Sequence, residues 1–326
     1  MKKTGVYHVC LSSHDEVMFR STADLNMGFN CLAVATLYTD SHLLAEGFMT
    51  THYHFLLRTS SLREVMFRCR YAYARYFNTK YHRSGSIGEK RYFWLEIDGL
   101  YHTLSALNYV IRQGLHHGLA ITPFGYPHCS ANAFFRSDLG KNESPQLMPE
   151  WNRYKYLPAN VKIPEKYRMS AQGALLREDV LDIALVEQYY VSPRNYMYQM
   201  NKIVDEKEIE KQKEENSLPL VTIDTIETGV TDVVLKEIRT TDLDKLRRRN
   251  MTDLELCSLI DDKLVPRYFK EDEDKSIYLL PFAQRIELYD LLWDECYRAR
   301  IQRNADGFFA NRYITEAQLK RCLCLP

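Results

Sequence analysis

Residues 42–58 read HLLAEGFMTTHYHFLLR, and the fold turns on how this stretch divides. His42 to Phe48 and Tyr53 to Arg58 are short apolar runs separated by Met49-Thr50-Thr51, which spells two strands joined by a tight turn. Toward the N-terminus, Tyr7 to Leu11 reads as another strand, and Ser21-Thr22-Ala23-Asp24 caps a helix to about Leu37. Toward the C-terminus, Ser61-Leu62-Arg63-Glu64 has the form of a capping box opening a helix to about Tyr81. A loop follows over Ser84 to Gly88, then a strand over Tyr92 to Ile97. Asp98 is expected to cap a last helix ending near Gly114, where a residue free to take positive φ is wanted. The order is β-α-β-β-α-β-α. Its first six elements are the ferredoxin-like split βαβ pattern: an antiparallel sheet with helices on one face and the third strand central. The fold class is α+β.

The chain has 326 residues, 45% of them apolar, enough for more than one domain. No run of about 18 apolar residues is present, so no membrane span is expected. Met1-Lys2-Lys3 begins like a leader, but Thr4 to His8 is not an apolar region, and the cytoplasm, near the nucleoid, is the expected compartment. The eight cysteines form no C-x-x-C pair, which argues against a structural zinc or disulfide framework. Six of the eleven prolines lie between Pro123 and Pro164. That divides the chain into a unit over 1–135, a Pro-rich connector over 136–169, and a mainly helical C-terminal region over 170–326. Helices are expected over about Ala171–Tyr190 and Pro193–Lys213, the latter running into the charge run Asp205–Glu215. Thr252-Asp253-Leu254-Glu255 and Thr315-Glu316-Ala317-Gln318 are capping boxes of later helices. Arg247-Arg248-Arg249 precedes the first of them.

The chemistry-bearing residues lie in the first unit. In His52-Tyr53-His54, strand alternation points both imidazoles the same way, so they can share one divalent cation. Alone, a His-x-His is as readily a surface or core pair. In Tyr109-Val110-Ile111-Arg112-Gln113, helical spacing puts a phenol and an amide on one face. The topology lets that helix pack near the strand carrying His52 and His54. Two imidazoles and an amide oxygen make an incomplete shell with room for water and a phosphate oxygen. The phenol of Tyr109 could then attack phosphorus, with the cation supplying charge stabilisation that a phenol of pKa about 10 requires. His116 and His117 read as an exposed pair outside this site.

From Arg58 to Arg91 the sequence carries nine Lys or Arg against two Glu, interleaved with aromatic residues. Cations neutralise phosphates and aromatic faces stack on unpaired bases, although a solvated amphipathic helix has the same composition.

Several segments together resemble the single-tyrosine HUH transposases, in particular the REP-associated tyrosine transposases. They are Tyr7-His8-Val9, Gly47 through Leu57, Phe77-Asn78, Arg83 through Gly85, Arg91-Tyr92-Phe93, Leu107 through Ile111, Gly118-Leu119, and Tyr126-Pro127 with Ser130. The resemblance spans about the first 135 residues. It implies His52 and His54 as ligands of Mg2+ or Mn2+, Gln113 as the third ligand, and Tyr109 as a nucleophile forming a 5′-phosphotyrosine with single-stranded DNA. It also implies a hairpin-forming DNA partner and a homodimer. Arg58, Arg63, Arg70, Arg75, Arg83, Lys90, Arg91 and Arg112 become the candidate DNA contacts. The family's usual Pro-Asn before the first histidine is Thr50-Thr51 here, its aliphatic middle residue is Tyr53, and its Asn-Pro after the tyrosine is Gln113-Gly114. The competing reading on this fold is a non-cutting DNA-binding protein or regulator.

Overall fold

The computed structural model describes residues 3–13, 15–204, 230–231, 251–269, 275–302 and 314–326. The charge run Asp205–Glu215 and Arg247-Arg248-Arg249 lie outside the described residues.

Strand β1 (Gly5–Ser12), helix α1 (Thr22–Tyr38), strands β2 (His42–Phe48) and β3 (His52–Thr59), helix α2 (Leu62–Tyr81) and strand β4 (Phe93–Ile97) follow in the expected order. They form a four-stranded sheet in the order β2-β3-β1-β4 with every neighbour antiparallel, the split βαβ arrangement with β3 and β1 central. The protein is α+β.

Alternation along β3 assigns the two faces. Tyr53 stacks on Phe48 and Phe55 and meets Phe19, which in turn packs against Tyr73 of α2. The odd-numbered face of β3 is thus the core beneath α1 and α2, which is why an aromatic fits at position 53. His52 and His54 face the other way. There α3 (Leu100–Ile111) covers β2 and β3.

Helix α1 begins at a true capping box: Ser21 accepts from the Asp24 N–H while the Asp24 carboxylate accepts from the Ser21 N–H. Asp24 is buried and also takes the hydroxyls of Tyr76 and Tyr81 and the ammonium of Lys80, pinning α2 to the start of α1. Other local expectations need correction. Ser61 makes no side-chain cap bond. The cap of α3 is Gly99 at φ 81°, not Asp98, whose carbonyl instead bonds His102 Nδ1. Gly114 does not take positive φ; Gly118 does, at 66°. Gly114 is small because a Cβ there would lie 2.4 Å from the Tyr126 ring.

The core under α1 continues into later residues. Met148, Tyr167 and Met169 belong to it, and buried Asn30 donates to the carbonyls of Tyr156 and Gly173 while accepting from the Leu175 N–H. The helix expected over Ala171–Tyr190 is broken: Gly173 turns at φ 83°, and only α5 (Arg177–Val180) and α6 (Ile183–Tyr190) form, the latter capped by Asp182. Helix α7 spans Pro193–Asn201 and ends before Lys202.

A second core collects helices α8 (Asp253–Ser258), α9 (Phe282–Gln302) and α10 (Glu316–Cys322), with the expected capping boxes at Thr252 and Thr315. It docks on the first unit through Arg20, which is fully buried, donates twice to Asp261 at 2.7 Å and also reaches the Cys322 carbonyl. No helix among the described residues is long and apolar enough to cross a membrane.

Candidate active site

The site is built where α3 crosses the histidine face of the sheet. Gly47 on β2 permits the crossing, since a Cβ there would meet the Val110 carbonyl at 2.8 Å and Gln113 Cβ at 3.3 Å. Helix α3 stops at Ile111, Arg112 breaks the run, and a single turn, α4 (Gln113–His116), continues past it. Tyr109 is therefore on one helix and Gln113 on the next turn, yet they remain neighbours: the Gln113 amide donates to the Tyr109 carbonyl at 3.1 Å.

Tyr109 stands edge-on to two imidazoles, with its ring centroid 5.2 Å from His54 and 5.6 Å from His8. His8 comes from β1, where it pairs with Leu56, and its Nε2 lies 3.1 Å from His54 Nδ1. Cys10, paired with His54 across the strands, places its sulfur 3.7 Å from His54 Nε2. His52 is held on both sides of its ring. Its Nδ1 is 3.0 Å from Thr51 Oγ1, and its Nε2 is 3.0 Å from His117 Nε2.

The sequence brought out His52, His54, Tyr109 and Gln113, and the structure gathers all four. It adds His8, Cys10, Thr51 and His117. His8 and Cys10 carried a signal, being two apart on a strand, as did Gln113 and His117, four apart at a helix end. His117 is not an uninvolved surface residue, because its ring packs on His52 with centroids 4.7 Å apart.

Burial keeps His8, His52 and His54 neutral, while the exposed His117 ring is held down less by its surroundings. His8 is lowered to about 4 by desolvation, and His117 is lowered by desolvation and then His116. His52 is lowered to about 3 by desolvation, then by His117 and His116, with the Gln113 amide opposing. His54 is well below the usual histidine range, first from burial and then from His52 and His8. Tyr109 is pushed up to about 12, mainly by burial and secondarily by Cys10, while Gln113 pulls it back. Without added positive charge this phenol is a poorer nucleophile than tyrosine in water.

Among the described residues no group of three or more His, Cys, Asp or Glu side chains is arranged to hold a metal ion. The donors present nonetheless suit a cation. Neutral imidazoles offer lone pairs, and buried Gln113 Oε1 makes no hydrogen bond of ordinary geometry although its amide lies close enough to His52 to act on that ring. Nitrogen donors with an amide oxygen fit Mn2+ better than Mg2+, which takes oxygen ligands.

The candidate DNA contacts are spread around the molecule. Arg63 and Arg75 are exposed on α2, on the sheet face opposite His52 and His54, and Arg58 is exposed near the far end of β3. Arg70 donates to the carbonyls of Glu89 and Lys90, and Arg83 pairs with Glu16 at 2.8 Å. Arg112 is buried and donates to the Lys202 carbonyl, so it presents no charge to a surface phosphate. Lys90 and Arg91 are exposed and follow Glu89, which bonds Ser12 through backbone and side chain, and Ser12 pairs with His52.

No family model matches the chain, and no curated protein matches it. Among solved structures it is similar to a REP-associated tyrosine transposase bound to a REP hairpin. The identity is 14% and the TM-score 0.33, over 44% of this chain and 83% of that one.

Proposed function

We propose that this protein nicks and rejoins single-stranded DNA, with Tyr109 as the nucleophile. The carrying observation is the packing of the Tyr109 ring against His54 and His8, with the Gln113 amide between Tyr109 and His52. His52, His54 and Gln113 would hold a divalent cation, Mn2+ or Mg2+, which when bound neutralises charge on the scissile phosphate.

The phenolic oxygen of Tyr109 forms a bond to phosphorus as the bond from phosphorus to the 3′ oxygen breaks. The phenol loses its proton and the 3′ oxygen gains one, leaving a 5′-phosphotyrosine and a free 3′-hydroxyl. Attack by a 3′-hydroxyl reverses the exchange and rejoins a strand. Because the ester bond energy is retained in the protein–DNA linkage, no nucleotide cofactor is needed. Lys90 and Arg91 are the cations best placed to hold the strand beside His52. Hairpin-forming DNA is the proposed partner. A homodimer would bring two such sites to two DNA ends, but each tyrosine already stands beside the histidines of its own chain.

The test mixes labelled single-stranded hairpin DNA with protein and Mn2+ or Mg2+, followed by a denaturing gel. Wild type should give a protein–DNA adduct, Tyr109→Phe none, and His52→Ala none while still binding DNA. Cleavage that survives in Tyr109→Phe would mean that activated water is the nucleophile. DNA binding without cleavage by wild type in either metal would favour a non-cutting DNA-binding protein.

A further inference from the structure

A second hollow lies outside the histidine site. The chain after α4 folds back along the outer edge of β2, where Gly47 bridges to Cys129 and the Glu46 N–H donates to Ser130 Oγ at 3.1 Å. Between residues 127–145 and the turn leading into α5 is a cavity of about 600 Å3, within the range of small-molecule sites. Pro127, Ala133 and Leu175 give it an apolar wall, and neither Tyr109 nor any histidine lines it.

Three cations, Arg136, Lys141 and Arg177, also line this cavity. Arg177 has a counter-charge, since its Nε donates to the buried Glu46 carboxylate at 2.5 Å. Among the described residues the other two have none. Arg136 donates to the carbonyls of Asn132 and Glu143, and Lys141 donates to Asn132 Oδ1 and stands over the Phe124 ring at 4.2 Å. Two carboxylates share the wall, but Glu178 lies 3.9 Å from Arg168, and the exposed Glu143 side chain pairs with neither cation. Burial and then the Arg136 charge lower the Lys141 pKa, as two neighbouring cations with no anion between them should. A pair of this kind is stabilised by a bound anion, which both side chains can reach with charged hydrogen bonds.

We infer that this cavity binds a phosphate monoester carried on a body of nucleoside size, with Arg136 and Lys141 on the phosphate and the apolar wall against the body. At neutral pH a monoester carries about −1.5 to −2 charges, which matches two cations. The volume is far more than a bare phosphate ion fills, and the apolar wall gives the rest of the ligand a surface to cover. A free nucleotide and the 5′-phosphorylated end of a strand present the same group. The site uses neither Tyr109 nor the histidines, so it stands or falls apart from the proposed function.

The test titrates the full chain with adenosine 5′-monophosphate and with adenosine by isothermal calorimetry, without divalent metal. Wild type should bind the monophosphate at least about tenfold more tightly than adenosine, a comparison that needs no variant. Arg136→Gln and Lys141→Gln should each raise the Kd of the monophosphate at least about tenfold. Lys141→Arg, which keeps the charge, should retain most of the affinity, and Tyr109→Phe and Arg75→Gln should bind as wild type does. Circular dichroism confirms that each variant is folded. Displacement of the monophosphate by a 5′-phosphorylated tetranucleotide, and not by its 5′-hydroxyl counterpart, would assign a strand end to the site. Failure of both to displace it would assign the free nucleotide. Adenosine bound as tightly as its monophosphate, no binding of either, or wild-type affinity in both Arg136→Gln and Lys141→Gln would overturn the inference. Loss of binding in Tyr109→Phe alone would move the ligand to the histidine site and overturn it as well.

Discussion

Tyr109 packs edge-on against His54, with ring centroids 5.2 Å apart and planes at 86°, although one is on a helix and the other on a central strand. The contact depends on α3 crossing the sheet on the face that α1 and α2 leave uncovered. It turns two motifs that are each weak in the sequence into one site.

The crossing can be tested at Gly47. A Cβ there would sit 2.8 Å from the Val110 carbonyl, and backbone cannot yield as a side-chain tip can. Gly47→Ala should cost about 1–3 kcal/mol in urea unfolding. It should also reduce adduct formation, since α3 must move away from β2. Unchanged stability and unchanged adduct yield would show that the close approach is not needed.

Thr51 stands where the resembled family has asparagine, and its hydroxyl lies 3.0 Å from His52 Nδ1. Thr51→Ala should weaken Mn2+ binding by about 10–100-fold, the range for a residue that orients a ligand. Thr51→Ser, which keeps the oxygen, should restore most of it. Titration of the alanine variant indistinguishable from wild type would remove Thr51 from this role.

Arg20 and Asp261 join the two cores. Asp261→Ala would leave a buried guanidinium with the Cys322 carbonyl and the Tyr278 ring face but no counter-charge, at a cost of about 3 kcal/mol. Differential proteolysis should then release fragments from the C-terminal helices at lower urea than in wild type. A variant as resistant as wild type would mean that the second core docks without this pair.

The histidine cluster sets an acid limit. In the unfolded chain these imidazoles take up protons as pH falls through about 6.5. In the folded protein His8 resists until about 4, and His52 until about 3. The unfolded state therefore binds more protons in that interval. Their contribution to stability is complete above pH 6.5 and is lost as pH falls toward 4. Melting temperature in EDTA should drop between pH 6.5 and 4.5, and drop less in His8→Gln. A flat profile in wild type would contradict the buried, neutral rings.

Strand alternation and turn composition carried the sheet in the sequence. The runs flanking Thr50-Thr51 formed neighbouring strands, and Ser21, Thr252 and Thr315 cap helices as read. Cap residues act within a few positions, so local sequence specifies them. The Ser61 and Asp98 caps failed because the chain found other solutions, a bare start at Ser61 and a glycine at 99. Register was not legible. The spacing of His8 and Cys10 shows that they share a face, and the register that sets Cys10 opposite His54 is what brings them into the site. Nor was it legible that Arg112 points inward to a carbonyl from residue 202, since long-range burial of a charge leaves no periodic signal. The basic segment read as one DNA surface divides in space, because α2 and the histidines occupy opposite faces of the sheet.

The central claim is a covalent bond between one phenol and DNA. The most direct measurement digests wild-type protein after reaction with a hairpin oligonucleotide and Mn2+ or Mg2+, then identifies the nucleotide-bearing peptide by mass spectrometry. A 5′-phosphate ester is expected on Tyr109 and on none of the other tyrosines among the 23 in the chain. An ester mapped to another tyrosine, or DNA cut with no peptide modified, would contradict it.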